Sequence, residues 1–326
     1  MSQAESNPFL YSDTNKRYHT YDYYIKKRFL GKCAKIPLDC GFTCPNIDGT
    51  CGVGGCIYCS GGSGARLASG LLPLEEQYRI GVETMRKKWD VKGFIPYLQA
   101  YTNTHTSPEI LEKILREVSS LEGAVMVDIA TRADCLSNEI IAVLDKASRG
   151  IPITVELGLQ SAKDETARLI NRCHDYATFV DGFNRLRKGA PNVKIGVHII
   201  NGLPKENRED MENTARSVAD LHPDLIKIHL LHVIRATPLA SWYENGEYAP
   251  MDRQEYIETV CNQLELLPPD VVVERVTGDG IAKDLLAPEW SKKKVTVIND
   301  IDKELYRRDS YQGKLCKCKI DTLRVT

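Results

Sequence analysis

Three cysteines in one glycine-rich loop are the residues of this chain best suited to chemistry. Cys44, Cys56 and Cys59 lie in the stretch GFTCPNIDGTCGVGGCIYCSGG, which follows the short apolar run Ala34–Leu38. Three thiolates on one flexible loop can bind three irons of a [4Fe–4S] cluster. The fourth iron would stay open to a small molecule. The spacing therefore favours a cluster that takes part in a reaction over one that only stabilises the fold.

The remaining cysteines leave one alternative open. Structural zinc would need four thiolates, and Cys51 could complete such a set with the other three. Cys40 and Cys44 begin the common CxxxCxxC spacing, but position 47 is Ile, so we interpret Cys40 and Cys51 as spare thiols. A length of 326 residues with ordinary composition does not fit a small disulfide scaffold. Because we find no apolar signal segment or membrane span, we expect a reducing, cytoplasmic location.

Strand-like and helix-like segments must position these thiols. Short β-rich runs are predicted at Ala34–Leu38, Phe94–Ala100, Val125–Ala130, Ile153–Leu159, Val193–Ile200 and Leu225–Leu230. Amphipathic helices are predicted between them, near 75–89, 108–120, 138–148, 163–170, 176–188 and 207–221. Ser107 and Ser137 are expected to cap two of these helices, and Pro108 suits a first helical position. Repeated βα units predict parallel strands with helices outside.

In a parallel barrel, the active site lies at the carboxyl ends of the strands. In this sequence, polar residues follow the predicted strands at those ends, and a few charged residues also interrupt the strands. Glu156 stands in a strand of Val and Leu, where an unpaired carboxylate is costly to bury. It therefore either contacts a cofactor or substrate, or forms an ion pair within the barrel. Lys227 and His229 share one face of their strand because side chains alternate. We predict that these two residues contact substrate or deliver a proton.

Charge and the C-terminal third are less informative. The formal net charge of −1 gives no global attraction to nucleic acid. A local basic and aromatic stretch, 16–28, and the run 292–294 are candidate RNA contacts. The alternative for 16–28 is a solvated segment that packs its tyrosines on the barrel.

In the C-terminal third, a helix is predicted at Tyr256–Leu267 and a further strand at 271–279. Arg132 could steer a ligand or pair with Asp134, Arg275 is expected to pair with Asp279, and Cys316 and Cys318 are expected to be free thiols.

The cysteine loop resembles the cluster loop of radical S-adenosylmethionine (SAM) enzymes, in the long-spaced form also found in the Elongator catalytic subunit. Almost the whole chain resembles the bacterial radical SAM family that includes the YhcC and YtqA proteins. The resemblance is carried by Phe42–Ser60, Gln99–Thr104, Thr131–Leu136, Val155–His174, His198–Pro204, Lys227–Leu231 and 275–279. It implies an α/β fold, a partial (β/α)6 TIM-like barrel of the radical SAM type at 31–235. An N-terminal tyrosine-rich basic extension (1–30) and a C-terminal region (236–326) that covers the substrate pocket complete the expected organisation.

The resemblance also implies site residues. Cys44, Cys56 and Cys59 would hold a [4Fe–4S] cluster. The run QAYTNT replaces the usual Gly-Gly-Glu-like segment that receives the amino group of SAM, and Gln160 with Arg172 matches the Gln and Arg of coproporphyrinogen dehydrogenase-type enzymes. The residues expected to contact SAM are Tyr58, Gln99, Tyr101, Thr102, Asn103, Glu156, Gln160, Ser161, Arg172, His198 and Asn201.

The implied reaction is reductive cleavage of SAM to a 5′-deoxyadenosyl radical that abstracts hydrogen from a substrate. It needs an electron donor such as flavodoxin or ferredoxin. The resemblance favours a tRNA wobble-uridine C5 side chain as the substrate, with conversion of a carboxymethylaminomethyl to an aminomethyl group. Two alternatives stay open. The substrate could be a small or porphyrin-like acid gripped by Arg132, Arg172 and Arg275, or the chain could be a non-catalytic metal-binding module.

Overall fold

A computed structural model describes residue 9 and residues 11–60, 72–278 and 283–317 of the chain. Its strands are β1 (Cys33–Leu38), β2 (Gly93–Leu98), β3 (Val127–Thr131), β4 (Ile153–Gln160), β5 (Lys194–Asn201), β6 (Leu225–Leu230), β7 (Val233–Ile234), β8 (Val272–Arg275) and β9 (Leu285–Ala287). Seven of them form one parallel sheet in the order β1-β2-β3-β4-β5-β6-β8, which curls into a half-barrel. The predicted α/β partial barrel is confirmed, and β8 continues its sheet beyond residue 235.

The helices cover the outer face of this sheet and alternate with its strands. They are α1 (Tyr21–Phe29), α2 (Leu74–Arg86), α3 (Pro108–Ser119), α4 (Asn138–Ser148), α5 (Asp164–Leu169), α6 (Tyr176–Gly189), α7 (Arg208–Leu221), α8 (Pro238–Glu244), α9 (Arg253–Leu266) and α10 (Lys294–Arg307). The six helices predicted between strands match α2 to α7 within a few residues. Ser107 and Ser137 cap α3 and α4 as predicted, each accepting a hydrogen bond from a backbone N–H of the first turn.

Side-chain alternation separates an apolar outer layer from a polar barrel interior. In β1, Ala34, Ile36 and Leu38 are buried towards the helices and belong to the main hydrophobic core. Lys35 lies between them and faces the other way, into the barrel. The helices therefore cover aliphatic side chains that strands in a parallel sheet commonly provide, while the barrel interior is free to hold charged groups.

The open side of the half-barrel, between its edge strands β1 and β8, is where sequence patterns were least informative. The helix α1 contacts both edge strands, and Val273 of β8 donates a backbone hydrogen bond to the His19 carbonyl at 2.7 Å. No helix was predicted for α1, α8 or α10, and the antiparallel pair β7–β9 was also missed. These elements are short, or their charged faces hide the apolar periodicity that a prediction needs.

Candidate active site

The three predicted cysteines lie in the loop that follows β1, and we call residues 39–60 the cluster loop. The charges of Cys56 and Cys59 both influence the Cys44 thiol, whose pKa burial raises. Thr102 Oγ1 lies 3.1 Å from Cys44 Sγ, and Asn46 Nδ2 donates to Cys56 Sγ at 3.4 Å. Donors directed at sulfur stabilise thiolate charge and tune a bound cluster.

The other two loop cysteines lie elsewhere. Cys40 packs against the main hydrophobic core, and burial raises the pKa of its thiol to about 12. Cys51 is exposed and adjoins Cys173 and the Arg132 guanidinium, 3.8 Å from its sulfur. The four-thiolate zinc set is therefore not assembled. Within the described residues, no three His, Cys, Asp or Glu side chains are grouped so as to hold a single metal ion.

The segment that carries Arg172 is bound directly to the cluster loop. Asn171 Nδ2 donates to the carbonyls of Val53 and Gly55 at 2.9 and 2.7 Å. Asn46 Nδ2 donates in return to the Asn171 carbonyl at 3.0 Å. The position of the predicted SAM ligand Arg172 is thus coupled to that of the thiols, although more than a hundred residues separate them in sequence.

Arg172 and Gln160 meet over Gly158 at the end of β4. One guanidinium nitrogen of Arg172 donates to the Gly158 carbonyl, and its Nε is buried without a partner. A Cβ added at Gly158 would come within 2.6 Å of Gln160 Nε2 and 2.9 Å of an Arg172 guanidinium nitrogen, so a larger residue there would displace these two side chains. Gln160 has a φ of 72° beside a bulge in the β4–β5 ladder. Strained backbone and an unsatisfied buried donor are features of a ligand site.

The QAYTNT run follows β2 and approaches the same place. Tyr101 has a φ of 61°, which directs the chain across the barrel end. Asn103 Nδ2 donates to the carbonyls of Leu98, Ala100 and Ala130, which ties the ends of β2 and β3 together, and its buried Oδ1 has no partner. An unsatisfied acceptor beside the cluster loop suits an ammonium donor. The partly buried Gln99 donates its backbone N–H to the Leu38 carbonyl at 3.2 Å.

A layer of charged side chains crosses the barrel interior, and we call it the charge layer; its members are Lys35, Tyr97, Asp128, Glu156, Lys227 and Glu274. Glu156 accepts from Lys227 at 2.5 Å and from Lys35 at 2.9 Å. Burial alone would raise the pKa of the Glu156 carboxyl, but these ammonium groups hold it well below its usual range. Of the two alternatives given for Glu156, a ligand contact and an ion pair within the barrel, the structure shows the ion pair.

Lys227 and His229 both face the barrel interior, as their alternation predicts. Lys227 is 4% exposed, and its ammonium lies between Glu156 and Glu274, 2.9 Å from the latter. His198 Nε2 lies 3.2 Å from Glu156, and its ring stacks on that of His229 with 5.2 Å between centroids. Burial and the neighbouring cationic groups hold the pKa of His229 well below its usual range, and its Nε2 has no partner.

Several other predicted contacts have protein partners instead. Asn201 and Gln263 exchange two 2.8 Å hydrogen bonds, so Asn201 faces the helix layer and its predicted contact with SAM is not supported. Ser161 hydrogen-bonds Glu206. Arg132 pairs with Asp134 at 2.7 Å, one of its two predicted alternatives. Burial raises the pKa of the Tyr58 phenol, which interacts with the Cys56 thiol and lies near Arg172. Asp279 and Cys318 lie outside the described residues.

Four charge-layer residues were missed from the sequence. Lys35, Tyr97, Asp128 and Glu274 each interrupt an apolar strand, which is the same signal that drew attention to Glu156. A search of every predicted strand for a charged residue among apolar ones would have found Lys35, Asp128 and Glu274. Asn46 carries no comparable signal, since an asparagine in a glycine-rich loop is ordinary turn chemistry.

Comparison with known proteins agrees with this geometry. Residues 48–218 match the Radical SAM superfamily and residues 223–307 match the Radical_SAM C-terminal domain. The chain belongs to the radical SAM superfamily. It is 44% identical to the YtqA protein of Bacillus subtilis over 311 residues (95% of this chain, 96% of the relative). It is 30% identical to the YhcC protein of Escherichia coli over 282 residues (86% and 90%).

Two further comparisons are more distant. A tRNA-2-methylthio-N(6)-dimethylallyladenosine synthase of Clostridium botulinum is 27% identical over 199 residues, which cover 58% of this chain and 44% of the synthase. The solved structure of the archaeal Methanocaldococcus infernus Elp3, with residues 1–46 deleted, superposes with a TM-score of 0.63 at 18% identity. It covers 86% of this chain and 64% of that one, and it supports the fold alone.

The superfamily uses a [4Fe–4S] cluster and SAM, and the residues present fit both groups. Cys44, Cys56 and Cys59 would hold the cluster, because sulfur-directed donors already surround two of them. The unpartnered Arg172 Nε and Asn103 Oδ1 would bind the anionic and cationic ends of SAM. The chain is therefore a radical SAM enzyme. Separately, no helix in the described part of the chain has the length and apolar character needed to cross a membrane.

Proposed function

We propose that this enzyme modifies tRNA at the C5 side chain of the wobble uridine, converting a carboxymethylaminomethyl group to an aminomethyl group. With addition of water the two-carbon fragment would leave as glyoxylate, a two-electron oxidation of the substrate that is balanced by reduction of SAM to methionine and 5′-deoxyadenosine. When bound, the cluster and SAM supply a 5′-deoxyadenosyl radical that abstracts hydrogen. The residues of this chain orient SAM, exclude water from the barrel and present the uridine. We further propose a cytoplasmic location and an electron donor such as flavodoxin or ferredoxin.

One observation carries the RNA part of this proposal, a cationic surface at the amino ends of β1 and β2. We call it the basic surface; its members are Lys26, Lys27, Arg28, Lys32, Arg86, Lys87, Lys88, Trp89 and Lys92, and all but Lys32 are classed as exposed. The Lys92 N–H donates to the Lys32 carbonyl at 2.7 Å, which joins the two segments. The Lys32 ammonium lies 3.5 Å above the Trp89 ring, which is 53% exposed. Cations around an exposed indole suit phosphates and a stacked base.

This surface combines part of the predicted basic stretch 16–28 with a segment that was not predicted. Tyr18 is buried, and Tyr21 adjoins Lys35 at the open side of the barrel, so these tyrosines pack inward as the alternative interpretation held. The lysines at the end of α1 remain in solvent. In the second predicted patch, Lys294 is half-buried and Lys292 lies 3.6 Å from Glu289, which leaves less free charge there.

The basic surface and the cluster loop lie at opposite ends of β1, about 20 Å apart for a six-residue strand. A folded RNA of tRNA size is long enough to contact both. Phosphate contacts at the basic surface would position the RNA, while a base turned out of its stack enters the barrel. The tRNA-modifying relative adds support by its name, over the half of this chain that it matches.

Within the barrel, we assign substrate contact to His229 and a supporting role to Lys227. His229 Nε2 is unpartnered and the ring is neutral, so it can accept or donate one hydrogen bond to a uracil edge. Lys227 is held by two carboxylates, so proton delivery from it would first have to break the charge layer. The same layer fixes His198, on which the His229 ring rests.

The test measures tRNA binding and SAM cleavage with the same anaerobic preparation. Binding of tRNA should weaken steeply with salt, and Lys87→Glu/Lys88→Glu should reduce both the affinity and the salt dependence. Lys303→Glu on α10, an exposed lysine near Asp300, is the matched control and should leave both unchanged. Formation of 5′-deoxyadenosine should be stimulated by tRNA that carries carboxymethylaminomethyl-uridine.

The outcomes separate the hypotheses. SAM cleavage without stimulation by that tRNA, together with salt-independent binding, would reject the RNA substrate and favour a small-molecule acid. Binding that survives the double substitution with unchanged salt dependence would reject the basic surface as the contact.

A further inference from the structure

Two cysteines that the reaction does not use lie beside each other next to the cluster loop. Cys51 is in that loop and is exposed, and Cys173 is in the connection between α5 and α6. The two thiols interact electrostatically, and Gly52, the chain neighbour of Cys51, lies against Cys173. The Cys173 sulfur also covers Gly52, where an added Cβ would come within 2.7 Å of it. The absence of a side chain at Gly52, next to Cys51, leaves this space to the Cys173 sulfur.

The backbone at Cys173 indicates that its side chain has a purpose. Its φ is 63°, in the left-handed region that favours glycine and is uncommon for a cysteine. The sulfur donates to Asn171 Oδ1 at 3.3 Å, which turns it towards the cluster loop. A residue held in a costly conformation beside a second thiol is better explained by the thiol than by packing.

Cys51 is the exposed thiol of the pair, so a small disulfide in solution can reach it. Arg132 Nη2 lies 3.8 Å from its sulfur, and Asp134 holds this guanidinium in place with contacts of 2.7 and 2.9 Å. Burial raises the pKa of the Cys51 thiol, and the guanidinium opposes this rise because it favours the thiolate, the attacking species in disulfide exchange. Cys135 is a third thiol nearby, but it is more deeply buried, and its sulfur lies 3.9 Å from Asp134 Oδ1.

We propose that Cys51 and Cys173 form a reversible disulfide that ties the cluster loop to the Arg172 segment. The oxidant is a low-molecular-weight disulfide such as oxidised glutathione. The Cys51 thiolate attacks one of its sulfurs and releases one glutathione thiol. The Cys173 thiolate then attacks the mixed disulfide at Cys51 and releases the second. Two protein thiols are oxidised, one glutathione disulfide is reduced to two thiols, and the cluster exchanges no electrons.

This disulfide would add a covalent connection between the cluster loop and the Arg172 segment, which hydrogen bonds already join. Asn171 and Asn46 hold the loop non-covalently, so the loop can open locally and expose the thiolate ligands. A disulfide one residue from Arg172 removes much of that freedom. The oxidised form should therefore release its cluster iron to a chelator several-fold more slowly than the reduced form.

The experiment uses the reconstituted holoprotein under anaerobic conditions, without tRNA or SAM. The protein is equilibrated with glutathione redox buffers, alkylated, digested and analysed by mass spectrometry. The expected product is one peptide pair joined through Cys51 and Cys173, which dithiothreitol separates. Cys135→Ser should leave this product unchanged, and iron release should be slower only when it has formed.

Cys173→Gly is the matched variant, because glycine suits the left-handed backbone and the fold should be retained. It should abolish the cross-link, leave Cys51 with a single attached glutathione, and make iron release independent of the redox buffer. The proposal is overturned if wild-type Cys51 carries glutathione without cross-linking, if it pairs with Cys135 or a cluster cysteine, or if it stays unmodified throughout. None of these results depends on the identity of the substrate.

Discussion

Two polar regions of the same barrel differ in how their groups are satisfied. In the charge layer, each ammonium lies between carboxylates, and Glu156 contacts Lys35, Lys227 and Tyr97. Among the described residues, Asp128 has no hydrogen bond to its carboxylate oxygens, but it forms an ion pair with Lys35 at 2.5 Å. At the carboxyl ends of the strands, which we call the mouth, Arg172 Nε and Asn103 Oδ1 are buried without partners. Tyr101 and Gln160 of the mouth also have left-handed backbone, whereas no charge-layer residue does.

This difference indicates that the charge layer stabilises the fold and that the mouth binds ligands. Buried charges that satisfy one another hold strands together, and removal of one leaves another uncompensated. Buried polar atoms without partners cost free energy unless a ligand satisfies them. We therefore expect substitutions in the charge layer to act on stability, and substitutions in the mouth to act on SAM and the cluster.

The largest effect is expected at the cluster. Cys56→Ala removes one of three iron ligands and should reduce 5′-deoxyadenosine formation by a factor on the order of 10³ or more, because the cluster is the source of the reducing electron. Iron content and nucleoside formation measure this directly. Cys40→Ala, in the core beside the loop, should keep its iron and activity. Equal losses in the two variants would place the ligands elsewhere.

A second test addresses the charge layer. Glu156→Gln leaves Lys227 and Lys35 with less compensating charge and should lower the free energy of unfolding by about 3 kcal/mol. Urea unfolding measures this change, and Glu83→Gln in an exposed pair with Arg79 should change it by less than about 0.5 kcal/mol. If the Glu156 variant kept its stability but no longer bound SAM, we would conclude that the charge layer is part of the SAM-binding site.

The matching substitution in the mouth should behave in the opposite way. Arg172→Gln removes a charged hydrogen bond worth about 1.5–3 kcal/mol, so the Kd for SAM should rise roughly tenfold to hundredfold. Its stability should fall by only about 1 kcal/mol, since one hydrogen bond to Gly158 is lost. Calorimetry with SAM gives the first value and urea unfolding the second. Arg168→Gln on α5 is the exposed control; an unchanged Kd at Arg172 would contradict its assignment.

The smallest expected effect concerns a buried neutral histidine outside both regions. Burial lowers the pKa of His19 to about 4, against about 6.5 in an unfolded chain. Its contribution to stability is therefore complete above pH 6.5 and is lost as the pH falls towards 4, which amounts to about 2 kcal/mol at pH 5. Urea unfolding at pH 7 and pH 5 measures the loss. His19→Gln should reduce it by about that amount, and an unchanged loss would mean that His19 is already protonated.

Much of the fold followed from the sequence because its signals were local. All seven strands of the parallel sheet, the helices α2 to α7 and the helix α9 were predicted from apolar runs, capping serines and Pro108, all of which act within a few residues. The helix α1 was not predicted, because the edges of β1 and β8 on which it packs are distant in sequence. Likewise, period-2 alternation placed Lys227 and His229 on one face, but it could not identify the ion pairs that hold Lys227.

The sequence by itself determined the parallel barrel, because apolar runs and helix signals act locally. Together with the family resemblance, residue type and spacing also predicted the three cluster thiols and the strand ends near them. Only the tertiary structure decided which polar groups satisfy each other. It paired Asn201 with Gln263, placed Glu156 between two lysines, and left Arg172 with an unpartnered nitrogen. It also brought Cys51 beside Cys173. These outcomes depend on contacts between residues far apart in the chain, which arise only when the strands close into a barrel.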